Sequence, residues 1–333
     1  MTRILDHRRI ENHMREPFRI SGYLFTSMPS VVATLAENGI MGRGEAAGVY
    51  YLDDDPDHMA REIERVRPAI EDGADLAELQ TLLPAGGARN ALDCALWELE
   101  SLRTGQPVWR LAGAPEPRPL VTTFTLPADT PEIILERLAT FPPVEALKLK
   151  LEGDLAADSE RVRTVREARP AIWLGVDANQ GYDGDQLDAL AAMLADAGVA
   201  LLEQPIRRGS EHLLDGWRSP VPIAADESIL DGADLETHHH RFDVVNIKLD
   251  KCGGLTEALR MAAMARRMGL KVMVGNMAGS SLAMAPAFVL GQCCDIVDLD
   301  GAWFLTEDLD AAGLYADGRF AVPDRFWGAD RRD

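Results

Sequence analysis

Hydrophobic positions in the first third of the chain follow two different spacings. Short apolar runs at residues 30–36 and 40–46 predict two strands, and the intervening Asn38-Gly39 is typical of a two-residue hairpin turn. Two later segments, residues 57–70 and 88–103, carry apolar residues at helical spacing. The pattern predicts a small mixed domain in which a β-hairpin packs beside helices.

A regular repeat begins after the proline-rich stretch at residues 114–119. Short apolar runs recur, and each is followed by a loop and a segment with helical spacing. The predicted strands are residues 121–126, 146–150, 173–177, 200–203, 223–226, 244–248, 272–275 and 296–300. Alternating strands and helices predict a parallel α/β sheet, and eight repeats favour its closure into a barrel. An open doubly wound sheet is the alternative, but no strand leads into a Gly-x-Gly-x-x-Gly turn and no P-loop motif is present.

Composition narrows the functional classes. The 333 residues are 47% hydrophobic, which is enough for a large core, and the net charge of -20 disfavours nucleic acid as a partner. Residues 1–20 contain no continuous apolar stretch that could act as a signal peptide or membrane span, so we expect a cytoplasmic protein with no membrane partner. The four cysteines have neither zinc-site nor disulfide-framework spacing and are predicted to be reduced thiols.

Lysine is scarce in this chain. Of the 34 basic residues only five are lysine, and the rest are arginine. A guanidinium group stays protonated, so a chain that uses arginine as its general cation should keep lysine where a proton must be lost. The five lysines are Lys148, Lys150, Lys248, Lys251 and Lys271.

Acidic residues end three consecutive predicted strands. Asp177, Glu203 and Asp226 are separated by 26 and 23 residues, and Lys248 follows after a further 22, which matches the repeat. In a barrel the carboxyl ends of the strands meet at the active-site face, so these side chains should converge. Converging carboxylates call for a divalent cation. Because neither His nor Cys belongs to the group, the sequence predicts Mg²⁺, for which Mn²⁺ could substitute.

The lysines at strand ends suggest proton transfer. Lys148 and Lys150 are two residues apart on one strand, so they point to the same side, and each is expected to lower the pKa of the other. Lys248 should approach the same centre from across the barrel. Two bases on opposite faces of one carbon permit inversion, and Mg²⁺ could hold the charge of the enediolate formed when a proton beside a carboxylate leaves. Simple pairing of these lysines with the carboxylates is the structural alternative.

Six short motifs resemble those of the enolase superfamily, specifically its muconate lactonizing enzyme subgroup. They run from the first domain to the sixth strand of the repeat. They are Gly-Arg-Gly-Glu at 42–45, Lys-Leu-Lys at 148–150, Asp-Ala-Asn at 177–179, Glu-Gln-Pro at 203–205, Ala-Asp-Glu-Ser at 225–228 and Asn-Ile-Lys-Leu at 246–249.

This resemblance implies a (β/α)7β TIM-like barrel with an N-terminal α+β capping domain. The implied domains are residues 1–117 for the cap, 118–310 for the barrel and 311–333 for a segment that returns to the cap. It also implies that Asp177, Glu203 and Asp226 bind Mg²⁺. Lys150 and Lys248 would be the acid and base catalysts, and Lys148 would contact the substrate carboxylate and tune Lys150.

The segment at strand eight points to the substrate. Asp298-Leu299-Asp300-Gly301 resembles the Asp-x-Asp motif with which dipeptide epimerases hold the ammonium group of the substrate, although Asp and Gly are also common in solvated turns. The family likeness further places Tyr23, Phe25 and Met277 at the substrate, and their apolar character favours a hydrophobic dipeptide. Gly279 departs from the pattern, because many members of the subgroup carry glutamate there.

The sequence therefore predicts an isomerase, a Mg²⁺-dependent dipeptide epimerase that works by lysine-mediated 1,1-proton transfer alpha to a carboxylate through an enediolate. Other reactions of the subgroup remain open, namely N-acylamino acid racemase, hydroxyproline-type dehydratase and o-succinylbenzoate synthase. A catalytically silent binding protein is a further alternative. The expected partners are a small-molecule substrate and, by resemblance to the family, further copies of the chain in a homo-oligomer.

Overall fold

The computed structural model describes residues 3–20, 22–308, 315–323 and 326–329. Its first sheet is antiparallel, with the strand order β1 (Ile4–Ile20), β2 (Tyr23–Glu37) and β3 (Ile40–Ala46). Asn38 and Gly39 both have positive φ, 52° and 84°, so they form the predicted two-residue hairpin turn. The sequence pattern missed β1, because most of its side chains are exposed and its buried residues are isolated.

Four helices follow the sheet and confirm the two predicted ones. They are α1 (Pro56–Glu71), α2 (Leu76–Leu82), α3 (Gly87–Thr104) and α4 (Val108–Leu111). Helix α3 packs directly on β3. The β3 residues that face the helix at this point are glycines. A Cβ atom at Gly42 would lie 2.1 Å from the carbonyl oxygen of Ala95, and one at Gly44 would lie 2.1 Å from that of Ala91. The glycines of the Gly-Arg-Gly-Glu motif are therefore needed for this close approach.

The eight predicted strands of the repeat are all present in one parallel sheet, ordered along the chain from β5 to β12. A short strand, β4 (Leu120–Val121), precedes them. The sheet contains β5 (Thr123–Leu126), β6 (Ala146–Lys150), β7 (Trp173–Asp177), β8 (Leu201–Glu203), β9 (Ile223–Ala225), β10 (Val244–Lys248), β11 (Lys271–Gly275) and β12 (Ile296–Val297).

Seven helices lie between or beside these strands, in the alternation that the sequence predicted. They are α5 (Pro131–Thr140), α6 (Leu155–Ala168), α7 (Leu187–Asp196), α8 (Gly232–His238), α9 (Leu249–Cys252), α10 (Leu255–Arg267) and α11 (Ser281–Gly291). The architecture is the expected α/β barrel with an N-terminal α+β part.

Side chains, rather than a ladder of backbone bonds, join the last strand segment to the first. The backbone N–H of Leu299 donates to Thr122 Oγ1 at 2.8 Å, and that of Thr125 donates to Asp300 Oδ2 at 2.7 Å. Thr123 Oγ1 donates to Asp298 Oδ1. The two aspartates after β12 are thereby fixed at the closing seam of the barrel.

The interior of the barrel changes from apolar to polar along the strands. Near the strand starts, Leu201, Ala224, Val244 and Met273 form a buried apolar layer. Inward-facing side chains recur every second residue, so the next positions on these strands face the same interior. Those positions include Glu203 and Asn246, and the chemistry is therefore concentrated at the carboxyl ends of the strands.

The last described residues pack beside the seam and against the N-terminal part. Strands β13 (Tyr315–Ala316) and β14 (Arg319–Phe320) form a hairpin, and β14 pairs with β4. The indole N–H of Trp327 donates to the carbonyl oxygen of Arg43 at 3.0 Å. The domain bounds stay predictions, and residues 309–314 lie outside the described residues. Among the residues that the structure describes, no helix is both long and apolar enough to cross a membrane.

Candidate active site

Three carboxylates meet at the carboxyl ends of β7, β8 and β9. Asp177 and Glu203 are register partners on neighbouring strands, and Asp226 directly follows β9. Each offers an oxygen atom within 4.8 Å of the others, and all three residues are at most 1% exposed. Burial and the nearby charge of Asp177 raise the pKa of Glu203 to about 7. Glu203 Oε2 is buried without a hydrogen bond. A buried set of converging carboxylate oxygens, one of them without a hydrogen bond, fits Mg²⁺.

The three strand-end lysines lie beside these carboxylates. Lys150 Nζ donates to Asp177 Oδ2 at 2.7 Å, and Lys248 Nζ donates to Asp226 Oδ2 at 2.6 Å. Lys148 Nζ lies 2.8 Å from Glu203 Oε2, although not in hydrogen-bond geometry, and 3.2 Å from Asp177 Oδ2. The strand-end lysines and acids that the sequence singled out are thus brought together around one centre.

The expectation that neighbouring lysines lower each other's pKa was wrong for Lys148. Burial alone would lower the pKa of Lys148, but the carboxylates of Asp298 and Glu203 together with Asp177 raise it well above its ordinary value. Lys248 behaves in the same way, because burial alone would lower its pKa, whereas Asp226, Glu203 and Glu227 together raise it above its ordinary value. A lysine accepts a proton only when neutral, so these carboxylates need another counter-ion before either amine can act as a base.

Sequence reasoning counted Lys251 but gave it no role. This residue lies on α9, and its buried ammonium group donates to Asp226 Oδ1 at 2.6 Å and to the carbonyl oxygens of Asp226, Ile229 and Asn246. Asp226 therefore has one carboxylate oxygen held by Lys251 and the other by Lys248. The scarcity of lysine was the signal that could have identified it.

Asp298 and Asp300 both lie in the wall of the cavity above the carboxylates. Asp298 Oδ2 accepts a hydrogen bond from Lys148 Nζ at 2.8 Å. Burial and the charge of Asp298 raise the pKa of Asp300 to about 7. The two residues give this end of the cavity a negative charge, which is suited to a cationic group.

A second wall of the cavity comes from the N-terminal part of the chain. Phe25 and Met28 of β2 lie in it, as do Tyr50 and Tyr51, and Met277 lies in the wall on the barrel side. Tyr23 packs behind this wall, with its ring 5.9 Å from Phe25 and 4.8 Å from Tyr50. Tyr23 thus packs against the residues of the wall, whereas Phe25 and Met277 line the cavity. Contact of the three residues with a substrate stays a prediction.

Contacts between the two parts of the chain hold this wall over the barrel. Asp250 on α9 accepts hydrogen bonds from the backbone N–H groups of Ala47 and Gly48 at 2.9 and 3.0 Å, just before Tyr50.

The cavity between these walls has a volume of about 100 Å³. It is also lined by Glu227, whose pKa is raised to about 8 by burial and by Asp226.

Gly279, the departure from the family pattern, lies beside a carboxylate from the other part of the chain. A Cβ atom at Gly279 would lie 3.4 Å from Glu45 Oε1, which also accepts a hydrogen bond from the backbone N–H of Ser280 at 3.1 Å. A glutamate at position 279 would bring a second negative charge towards buried Glu45. Glycine avoids this repulsion and leaves the lysines and the three carboxylates unaffected.

Comparisons with known proteins agree with this geometry. Residues 5–113 match the mandelate racemase/muconate lactonizing enzyme N-terminal domain, and residues 136–326 match the enolase C-terminal domain-like family. The chain is 39% identical to the L-Ala-D/L-Glu epimerase of Escherichia coli (strain K12) over 92% of its own length and 95% of the relative's. It is 38% identical to the N-acetyl-D-glutamate racemase of a Pseudoalteromonas species, over 76% of this chain and 80% of the relative.

A solved structure extends the likeness to three dimensions. The dipeptide epimerase from Methylococcus capsulatus, solved with Mg and the dipeptide L-Arg-D-Lys, superposes with a TM-score of 0.90 at 29% sequence identity. The match covers 99% of each chain. Together with the two family models, this shows that the chain belongs to the mandelate racemase/muconate lactonizing enzyme family of the enolase superfamily.

Proposed function

We propose that this protein is an isomerase, a Mg²⁺-dependent epimerase that inverts the α-carbon of the C-terminal residue of a dipeptide. The observation that carries the proposal is the placement of two lysines. Lys150 on β6 and Lys248 on β10 stand four strands apart in an eight-stranded barrel, with the three carboxylate-bearing strands between them. An α-carbon above the carboxylates would present one face to each amine.

In this mechanism one lysine removes the α-proton from one face, and the other delivers a proton to the opposite face. The roles of Lys150 and Lys248 exchange between the two epimers, so the reaction runs in both directions. Lys148, whose ammonium group lies among the carboxylates, would contact the substrate carboxylate. Mg²⁺ bound by Asp177, Glu203 and Asp226 would stabilise the negative charge that develops on the substrate carboxylate as the proton leaves.

The residues that line the cavity suggest which groups of a dipeptide they bind. Asp298 and Asp300 would bind its free ammonium group, which supports a substrate with an unmodified N-terminus. Phe25 and Met277 add aromatic and apolar surface to the cavity wall, and Tyr23 packs against Phe25. This surface favours a hydrophobic side chain on the residue that is epimerised.

An N-acylamino acid racemase is the second candidate, because one relative is named N-acetyl-D-glutamate racemase. The acidic pair argues against it, since an acylated nitrogen has no charge to offset the burial of Asp300. A hydroxyproline-type dehydratase and an o-succinylbenzoate synthase would need the same lysines and metal but have no use for this pair. A catalytically silent binding protein would need none of these groups.

Chiral chromatography of two matched substrate panels tests the proposal. The protein would be incubated with Mg²⁺ and either free-amine dipeptides, weighted towards apolar C-terminal residues, or their N-acetylated counterparts. We expect the C-terminal residue of at least one free-amine dipeptide to racemise, and acetylated substrates to react far more slowly. Turnover of acetylated substrates alone would reject the dipeptide assignment. The cytoplasmic location and the homo-oligomer stay predictions.

A further inference from the structure

Asn246 makes a contact across the barrel interior that reaches one of the three carboxylates. Its side chain is fully buried in the middle of β10, and its Nδ2 atom donates to Glu203 Oε1 at 2.7 Å. Strand β9 stands between the two residues, and the register partner of Glu203 on β9 is Ala224. A small side chain at this level leaves room for the asparagine to reach past β9 to β8.

Gly275 on β11, which has no side chain, packs against the Asn246 amide. A Cβ atom at Gly275 would lie 2.5 Å from Asn246 Oδ1 and 2.8 Å from Nδ2. Gly275 is not among the residues with positive φ, so glycine is required there for space rather than for backbone conformation. The amide is therefore wedged between β11 and Glu203. Its orientation is set by charge, because only the NH₂ group can face a carboxylate favourably.

The contact determines which oxygen of Glu203 is available. Oε1 is taken by Asn246, whereas Oε2 makes no hydrogen bond and lies 2.8 Å from Lys148 Nζ. Oε2 is therefore the oxygen that we assign to the metal. Glutamate has one more rotatable bond than aspartate, so its carboxylate needs more support from neighbours to stay in one orientation. Asp177 and Asp226 receive comparable support from Lys150 and Lys251.

We propose that Asn246 is a positioning residue that orients Glu203 for Mg²⁺, and that Gly275 exists to make room for it. This inference rests on the proposed Mg²⁺ site. Polar groups that orient metal ligands typically change metal affinity by 10- to 100-fold when they are removed. Because Asn246 is neutral, its removal does not alter the charge around the ion, so a loss of affinity reports the orientation of Glu203.

Isothermal titration calorimetry with Mg²⁺ tests this in the full chain without relying on activity. We expect Asn246→Leu to weaken Mg²⁺ binding by 10- to 100-fold. Gly275→Ala should also weaken it, because the added methyl group overlaps the amide and forces it out of the position in which Nδ2 meets Glu203 Oε1, while both polar residues stay intact. In the double variant the two losses should not add, because the second change acts only through Asn246. Raising Mg²⁺ to saturation should restore much of the lost kcat, which a general structural defect would not allow.

Asn12→Leu is the matched control. Asn12 is also buried and donates to a carboxylate, Glu45 Oε1 at 3.1 Å, but this carboxylate is outside the converging group. Its loss should leave Mg²⁺ affinity unchanged. Unaltered affinity in a folded Asn246→Leu or Gly275→Ala variant, or fully additive losses, would overturn the positioning role. Failure of the unaltered protein to bind Mg²⁺ would instead reject the metal site of the proposed function.

Discussion

Replacing Asp300 with asparagine separates dipeptide chemistry from N-acyl chemistry. Asp300 is 4% exposed, and its Oδ2 atom accepts a hydrogen bond from the backbone N–H of Thr125 at 2.7 Å. The side-chain oxygen of asparagine can accept the same bond, so the closing seam of the barrel should survive in the variant. What disappears is the negative charge that faces the cavity.

The expected loss follows from the type of bond that is removed. A hydrogen bond between an ammonium group and a carboxylate is worth about 1.5–3 kcal/mol. Each ~1.4 kcal/mol is a factor of ten, so kcat/KM for free-amine dipeptides should fall roughly 10- to 100-fold in Asp300→Asn. N-acetylated substrates carry no ammonium group, and their kcat/KM should stay constant or rise.

The assay is the initial rate of epimerisation of one dipeptide and of its N-acetylated form, measured for both proteins by chiral chromatography. Asp295→Asn is a suitable control, because Asp295 accepts a hydrogen bond from the backbone N–H of Val272 at 2.9 Å at the opposite end of the barrel. It should leave both rates unchanged. Equal losses for the two substrates in Asp300→Asn would refute the ammonium-binding role.

Three further predictions concern pH, the lysines and the metal. Burial and Asp298 raise the pKa of Asp300 to about 7, so its carboxylate is fully formed only above that pH. The kcat/KM for dipeptides should therefore fall as the pH drops through 7, and the fall should be shallower in Asp300→Asn, in which Glu203, whose pKa is also about 7, still titrates in this range. Lys150→Ala and Lys248→Ala should each lower kcat by roughly 10²–10⁴-fold. Lys271→Ala is the control, because Lys271 lies at the exposed start of β11 and its loss should leave kcat unchanged. Equal activity in all three variants would exclude amine catalysis. EDTA should abolish activity. Mg²⁺ at a hundred times its Kd should stabilise the fold by about 2.7 kcal/mol, which is measured as a higher Tm. A Tm that changes with neither EDTA nor Mg²⁺ would contradict a bound metal.

The barrel could be predicted from the sequence because its repeat carries two signals. Each strand is a short apolar run, and strands β7 and β8 end in an ionisable residue, with Asp226 directly after β9. Strand β1 gave no such signal, since its side chains are mostly exposed. The hydrophobic pattern detects burial, and an exposed strand is held by backbone hydrogen bonds that the pattern does not record.

Contacts between distant positions could not be predicted. The bond from Asn246 to Glu203 depends on two small residues, Ala224 on β9 and Gly275 on β11, and their positions around Asn246 follow only from the register of the sheet. The predicted direction of the pKa shift of Lys148 was wrong for a similar reason. The sequence shows its neighbour Lys150, but not the number of carboxylates that surround its ammonium group in the folded protein.

The central claim is that two lysines exchange a proton with one α-carbon. Proton NMR in D₂O, with Mg²⁺ and a free-amine hydrophobic dipeptide, tests it most directly by following the α-hydrogen of the C-terminal residue. We predict that this hydrogen alone is replaced by deuterium while the second epimer accumulates, and that Lys150→Ala combined with Lys248→Ala abolishes the replacement. Retention of the hydrogen in every free-amine dipeptide, or its exchange in the double variant at the unaltered rate, would contradict the account.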